Sequence, residues 1–197
     1  MDEFLKTEYE QCFSLIKYYD ERHQSLVKYC AGLSSAVPTL LLAIYQLGPD
    51  IVVHFWKFTA VISAITAIGL FSIFTVLIQT RLYFIYPVRQ VNAIREFELS
   101  STASFENNQM YLDTSFSAFK WSSSHTLLNA FVVLQIGAFI SLSIFSLNFG
   151  AVEEYCLVSK AISVGIILSS ITFIFSALYL QRKSKHHPDI SIHGKKR

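Results

Sequence analysis

Three long windows of this sequence contain no charged residue. They cover residues 58–80, 121–152 and 161–181, and are 23, 32 and 21 residues long. A helix needs about 20 apolar residues to cross a hydrocarbon core of roughly 30 Å, so each window can span a bilayer. A fourth window, from Tyr29 to Pro49, contains Gly32 and Pro38 but ends in the apolar run LLLAIYQLG. We therefore predict an all-α membrane protein with four transmembrane helices.

The distribution of basic residues predicts the orientation of these spans. Four Lys/Arg precede span one, four lie in or beside the segment between spans two and three, and six follow span four. Only Lys57 and Lys160 flank the two short connections at the other ends of the spans. Basic residues accumulate on the cytoplasmic side of membrane proteins. Both termini and the long middle segment are therefore predicted to be cytoplasmic.

The middle segment begins without a break from span two. The sequence YFIYPVRQVNAIREFEL, residues 83–99, contains no glycine and keeps a helical pattern, with a kink expected at Pro87. A short helix is also predicted at 107–119. The predicted organisation is a cytoplasmic amphipathic helix at 1–30, a transmembrane hairpin at 31–87, a cytoplasmic helix and serine-rich loop at 88–124, a second transmembrane hairpin at 125–181, and a basic cytoplasmic tail at 182–197.

The first thirty residues carry an unbroken heptad pattern with a polar opposite face. Such a seam predicts a packed helix face, either against the protein's own middle segment or against a neighbouring subunit, with self-association slightly favoured. His23 on this seam could fix the register or titrate near neutral pH. The candidate oligomer or partner interface comprises Leu5, Tyr9, Cys12, Ile16, Tyr19, His23 and Leu26 on the seam, and Arg89, Asn92, Arg95 and Glu96 after span two.

Small residues spaced four apart recur in spans two to four. Such rows let helix backbones approach closely in lipid, where no hydrophobic force drives helices together. A single subunit with four spans could satisfy all of them. The predicted helix-packing residues are Ala60 and Ala64 in span two, Gly137 and Ser141 in span three, and Ala161, Gly165 and Ser169 in span four.

The sequence carries no enzyme signature. It has no glycine-rich phosphate loop, CxxC pair, HExxH or GxSxG, and no acidic residue inside a span. His186, His187 and His193 lack the spacing of a metal site. The six cations of the tail region instead fit anionic lipid headgroups. We expect no catalytic residue, cofactor, metal or direct nucleic-acid binding.

Two sequence segments carry a family resemblance. The segments EYEQCFSLIKYYDERHQSLVKY and YPVRQVNAIREFEL, together with four spans, resemble small bacterial inner-membrane proteins of antiphage defence loci. Within that group the four-span membrane subunit of the Kiwa system is the nearest likeness. SLATT-type membrane effectors are a second likeness, although they typically have two spans. The resemblance implies an oligomeric assembly in the cell inner membrane, with a cytoplasmic protein partner, that acts in infection.

Two functions therefore follow as expectations. The first is a non-enzymatic, oligomeric sensor or scaffold subunit that recruits or controls a cytoplasmic partner in antiphage defence. Its support is the extent of the predicted cytoplasmic helices compared with the short external connections. The alternative is a pore-forming or membrane-disrupting effector. A transporter or intramembrane enzyme has less support, because the spans contain no acidic residue.

Overall fold

The structure is a computed structural model that describes residues 3–47, 49–99, 116–149 and 154–185. Every regular element in these ranges is an α-helix. Each helix is long and apolar enough to cross a bilayer, which confirms the predicted all-α fold with four helices of spanning length. The side of the membrane on which the termini lie stays a prediction. The helices are α1 (Glu3–Tyr45), α2 (Pro49–Leu99), α3 (Ser124–Asn148) and α4 (Glu154–Lys183).

The first two helices are much longer than a bilayer requires. α1 has 43 residues and α2 has 51, and each continues through an internal proline, Pro38 in α1 and Pro87 in α2. Residues 116–119 are not helical, so the short helix predicted at 107–119 does not reach its expected end. The rest of that segment and the tail beyond residue 185 lie outside the described residues.

The helices pack as a row in chain order rather than as a closed bundle. α1 packs on α2, α2 on α3 and α3 on α4, whereas α1 touches α3, and α2 touches α4, over much smaller areas. Fully buried apolar side chains such as Leu70, Leu77 and Val132 fill the contacts around α2 and α3. Exposed apolar side chains such as Leu42 and Ile166 cover the edge helices. This is the distribution expected where lipid replaces water as the solvent.

Aromatic rings join α1, α2 and α3 at the helix ends that lie next to the two short connections. Tyr45 of α1 lies edge-on to Phe55 of α2, with ring centroids 5.2 Å apart. Trp56 stacks on Phe149 at 4.1 Å and lies edge-on to Phe145 at 5.5 Å. Aromatic side chains concentrate where hydrocarbon meets the headgroup layer. We call this group of five residues the aromatic end.

The opposite ends of α1 and α2 extend together as an antiparallel pair. Gln90 Nε2 donates a hydrogen bond to Glu8 Oε1 at 2.5 Å, and the Tyr19 and Tyr83 rings stack at 6.2 Å. We call α1 residues 3–23 and α2 residues 81–99 the stalk. Each of the two helical segments of the stalk is about 27–30 Å long at 1.5 Å per residue, comparable to the thickness of the hydrocarbon core.

Candidate functional site

A buried polar pair joins α1 to α3 at the base of the stalk. His23 has no exposed surface, and its Nε2 lies 3.1 Å from Oδ1 of Asn129, which is 4% exposed. The amide oxygen can only accept, so His23 Nε2 carries the proton and donates. A buried amide and imidazole that satisfy each other avoid the cost of an unpaired polar group. The pair therefore fixes the register of α1 against α3.

A second imidazole lies directly against the first. The ring centroids of His23 and His125 are 4.2 Å apart. His125 Nε2 donates to Asp20 Oδ1 at 3.0 Å, and its ring also contacts Phe84 of α2 at 5.3 Å. Within the part of the chain that the structure describes, neither Nδ1 atom has a hydrogen-bond partner. Both rings therefore act as single donors from α1 and α3, and their planes are tilted by 47° to each other.

A buried arginine on α2 completes this group and holds a returning segment of chain. Arg81 is 2% exposed, and its Nε donates to the carbonyl oxygen of Ala118 at 2.9 Å. The guanidinium also lies over the rings of Phe84 and Phe116, at 5.1 and 5.6 Å from their centroids. A delocalised cation between two rings tolerates burial better than an ammonium would. We call Asp20, His23, Arg81, His125 and Asn129 the polar cluster.

The same returning segment is held from two further directions. Arg89 Nε donates to the carbonyl oxygen of Phe116 at 2.9 Å, and Arg89 Nη2 donates to the carbonyl oxygen of Ser184. The Ala118 amide donates to Ser184 Oγ at 3.4 Å. Residues 116–119 thus lie between α2 and the end of α4, which are otherwise barely in contact. Residues 116–119 therefore connect α2 to α4 at the end of the helix row that carries the stalk.

The polar cluster lies about one hydrocarbon thickness from the aromatic end. Along α1, 22 residues separate His23 from Tyr45, and along α3, 20 residues separate His125 from Phe145. At 1.5 Å per residue these intervals are about 33 and 30 Å, close to the roughly 30 Å of a hydrocarbon core. A bilayer that meets the aromatic end at one surface would meet the polar cluster at the other. The polar cluster would then hold α1, α2 and α3 together at the point where they leave the membrane.

The seam on α1 faces the protein's own helices. Cys12 and His23 are buried, and Tyr19 stacks on Tyr83 of the stalk. The Tyr9 hydroxyl accepts a hydrogen bond from Arg95 Nη2 at 2.8 Å, and the Arg95 guanidinium lies over the Tyr9 ring. The remaining seam residues, Leu5, Ile16 and Leu26, are half-buried. Of the two packing arrangements that the heptad pattern left open, the one within the subunit is present in the structure.

The four candidate residues after span two are divided between interior and surface. Arg89 holds Phe116 and Ser184, Asn92 is 4% exposed, and Arg95 is half-buried against Tyr9. Only Glu96 is fully on the surface. The polar face of this helix therefore packs within the subunit rather than standing free for a partner.

The small residues of the spans lie at helix crossings within the subunit. Ala60 is buried, and its carbonyl oxygen accepts a hydrogen bond from Ser143 of α3 at 3.0 Å. Gly137 and Gly165 meet where α3 crosses α4, and Ser169 Oγ donates across this crossing to the Val133 carbonyl at 3.1 Å. The other predicted packing residues are Ala64 and Ser141, which are half-buried, and Ala161, which is buried.

Four members of the polar cluster, Asp20, Arg81, His125 and Asn129, were not among the residues that the sequence singled out for a site. Asp20, Arg81 and His125 come from three different helices, and their proximity depends on the packing of the row. Arg81 reads in sequence as a basic residue at the end of a span, a position usually explained by topology. The available signal was His125, a polar residue inside the 32-residue charge-free window at 121–152.

The described residues offer little reactive chemistry. Cys12, Cys30 and Cys156 are free thiols. Burial, with a smaller contribution from Glu8, raises the pKa of the Cys12 thiol, which keeps it in the weakly reactive protonated form. No group of three His, Cys, Asp or Glu side chains within those residues is arranged to hold a metal ion. The arrangement is suited to holding helices together.

Arg81→Lys should release residues 116–119 without unfolding the helices. Lysine keeps the charge but loses the Nε hydrogen bond to Ala118 and the stacking on two rings. A charge-assisted hydrogen bond contributes about 1.5–3 kcal/mol, so amide hydrogen exchange in this segment should accelerate about tenfold or more. Exchange mass spectrometry measures this, with Arg22→Lys on the exposed face of α1 as the control. Unchanged exchange would show that Arg81 does not hold the segment.

Comparison with known proteins gives no assignment. No family model, curated protein or solved structure matches this chain. The function is therefore inferred from its own residues: four helices of membrane-spanning length, a stalk, and a buried polar cluster where the two meet.

Proposed function

We propose that this chain is a non-enzymatic subunit of an oligomeric inner-membrane assembly. In this proposal both termini and the stalk are cytoplasmic, and the stalk recruits or controls a cytoplasmic protein as a sensor or scaffold. The role in antiphage defence follows from the resemblance of residues 8–29 and 86–99 to defence-locus membrane proteins. The observation that supports partner binding is a stripe of exposed apolar side chains on the stalk.

The stripe lies on a part of α1 that projects beyond the membrane-spanning region. Phe4, Leu15 and Tyr18 are 70%, 44% and 53% exposed. At about 100° per residue they fall within about 60° of one another, and about 100° around the helix from the buried seam. Leu15 and Tyr18 are neighbours on the helix surface, and Phe4 lies on the same face about 16 Å nearer the stalk tip. Exposed aromatic side chains are enriched at protein contact surfaces. We call these three residues the stalk stripe.

The stalk is suited to transmit a signal because it is continuous with the spans. α1 and α2 run from the aromatic end to the stalk tip without a break in helical structure. The polar cluster joins α1 to α3 at the stalk base through His23–Asn129 and Asp20–His125, and Phe84 of α2 packs against the His125 ring. A change in the tilt of a span therefore moves the stalk stripe as well. This coupling favours control of a partner over passive anchoring.

The α3–α4 end of the helix row offers a packing surface for a second copy of the chain. A groove of about 610 Å³ runs between α3 and α4, and small residues including Ala130, Ala138 and Ser170 line it. Small residues permit close helix approach in lipid. The homo-oligomer in the proposal would form through this groove, which leaves the stalk stripe available to a different protein.

Co-purification tests partner recruitment directly. The chain is co-expressed with its genomic neighbours, extracted from membranes and analysed by mass, with Leu15→Ser/Tyr18→Ser as the test variant. We expect a soluble protein to co-purify with the unmodified chain and its yield to fall at least about tenfold in the variant, the loss typical of one central hot-spot residue. The matched control is Ser14→Ala/Lys17→Ala, which changes exposed neighbours outside the stripe. Equal yields from both variants would remove the stripe from the proposal.

The pore-forming alternative predicts an ion leak from liposomes, whereas the scaffold proposal predicts none. The isolated chain is reconstituted and ion leak is measured without any partner. The proposed scaffold should not increase leak, because serine hydroxyls on exposed span surfaces such as Ser163 and Ser170 bond to their own helix carbonyls. A leak that grows with protein content would overturn the scaffold proposal and support a pore.

A further inference from the structure

A long groove runs between α2 and α4, and residues of α3 line the part of it nearer the aromatic end. Two cavities of about 500 and 440 Å³ share Phe71 and Thr172 in their walls and so form one channel open to the side. The channel extends along α2 from Gln79 to Ala64. This is about 22 Å at 1.5 Å per residue, longer than one leaflet of a bilayer at roughly 15 Å.

The walls of this groove are apolar and bulky over most of its length. Phe71, Phe74 and Phe175 line one cavity, and Ile68 and Ile140 line the other. Helices that associate in membranes use small residues to bring their backbones together. Large aromatic and branched side chains instead leave a furrow that a flexible hydrocarbon chain can fill. The α3–α4 groove, with its glycines and alanines, is different in this respect.

The stalk end of the groove is polar. The Gln79 amide and the Tyr179 hydroxyl both line it, and neither forms a hydrogen bond with any residue in the described ranges. Both side chains face a region of low water content if the helices lie in a bilayer. Polar groups there need a partner to offset their desolvation. The ester and phosphate oxygens of a phospholipid are acceptors at this depth.

Two cations continue the groove at the same end. Arg182 and Lys183 lie three and four residues after Tyr179, so they occupy the same helix face one turn further on. Both are exposed and belong to the last turn of α4. A phosphate next to Tyr179 would lie within reach of both side chains. Along the groove come first the apolar walls, then the two polar side chains and then the two cations. These match, in the same order, the acyl chain, the ester region and the phosphate of an anionic phospholipid.

We propose that the α2–α4 groove is a binding site for one anionic phospholipid. An acyl chain lies over α3 between Phe71 and Thr172, and the phosphate lies beside Gln79 and Tyr179 and pairs with Arg182 and Lys183. This inference requires that the four helices lie in a bilayer, and does not depend on partner recruitment by the stalk. Retention of lipid and recruitment of a partner therefore succeed or fail separately.

Native mass spectrometry of the purified chain tests the site. The protein is exchanged into detergent and titrated with phosphatidylglycerol or phosphatidylcholine of the same acyl composition. One phosphatidylglycerol should bind at least about twentyfold more tightly, because two cations near the headgroup each contribute about fivefold, or about 25-fold together. Arg182→Gln/Lys183→Gln should reduce this preference to less than threefold. Thr172→Phe should fill the junction of the two cavities and lower the occupancy of both lipids.

The controls separate this site from general lipid adhesion. Lys57→Gln/Lys160→Gln removes two exposed cations at the opposite ends of the spans and should keep the twentyfold preference. Helix content and oligomer mass are measured for each variant, so a folding failure is recognised. Equal affinity of the unmodified chain for the two lipids would overturn the proposal. So would an unchanged preference in Arg182→Gln/Lys183→Gln, or a groove closed by a second copy with no lipid retained.

Discussion

Gly137→Ala should weaken the contact between α3 and α4 and destabilise the protein by about 1–3 kcal/mol, the usual cost of overpacking. A methyl group at this position would overlap Ser169 Oγ and lie 2.8 Å from the Gly165 carbonyl oxygen. The serine can rotate only by giving up its hydrogen bond to the Val133 carbonyl. The Gly165 carbonyl is backbone and can move only if the helices separate. Unfolding by detergent titration measures the loss.

The same substitution elsewhere provides the control. A methyl group at Gly69 would have Leu33 as its nearest neighbour at 4.0 Å, an ordinary contact, and one at Gly32 would meet nothing within 4 Å. Alanine is a better helix former than glycine, so Gly69→Ala and Gly32→Ala should leave stability unchanged or raise it by about 0.5–1 kcal/mol. If Gly137→Ala matched Gly69→Ala, the close crossing of α3 and α4 would be wrong.

His23→Leu should destabilise the protein by about 1–3 kcal/mol, because it leaves a buried amide oxygen without a donor. The oxygen is Oδ1 of Asn129, which His23 Nε2 now satisfies at 3.1 Å. Asn129→Leu should cost a similar amount, since it leaves the imidazole N–H without its acceptor. Detergent titration gives both values on the same scale.

The double variant distinguishes this pair from two independent sites. With both partners apolar no polar group of the pair is left unsatisfied, so His23→Leu/Asn129→Leu should be more stable than the sum of the single losses by at least about 1 kcal/mol. Asp20 and His125 remain in place as the second link between α1 and α3. Strictly additive losses would show that His23 and Asn129 do not depend on each other.

The spans could be predicted because their signal is compositional. A run of about 20 residues without charge has few alternatives to a membrane-spanning helix. The seam was equally visible, since His23 and Cys12 recur at heptad spacing and both are buried. What covers the seam was not visible. A heptad pattern specifies that one face is packed, and the identity of the covering surface depends on how the second helix returns.

The polar cluster could not be predicted for the same physical reason. Asn129 is 106 residues from His23, and Ala118 is 37 residues from Arg81, so their hydrogen bonds depend on the packing of whole helices. In the sequence Arg81 is a basic residue at the end of a span, a position that topology alone would explain. Its burial depends on the Ala118 carbonyl and the Phe116 ring, which come from a distant part of the chain.

In the proposed sensor role the stalk would act as a lever that pivots at the polar cluster. Phe4 lies 19 residues from His23, or about 28 Å along a rigid helix. A 10° change in the tilt of α1 at this pivot would therefore displace the stalk tip by about 5 Å, and tilting is one way in which transmembrane helices accommodate a change in bilayer thickness. Thinning or stretching of the membrane would thus produce a lateral movement of the stalk tip that exceeds the length of a side-chain contact. A bound protein could register that movement as the gain or loss of an entire row of contacts.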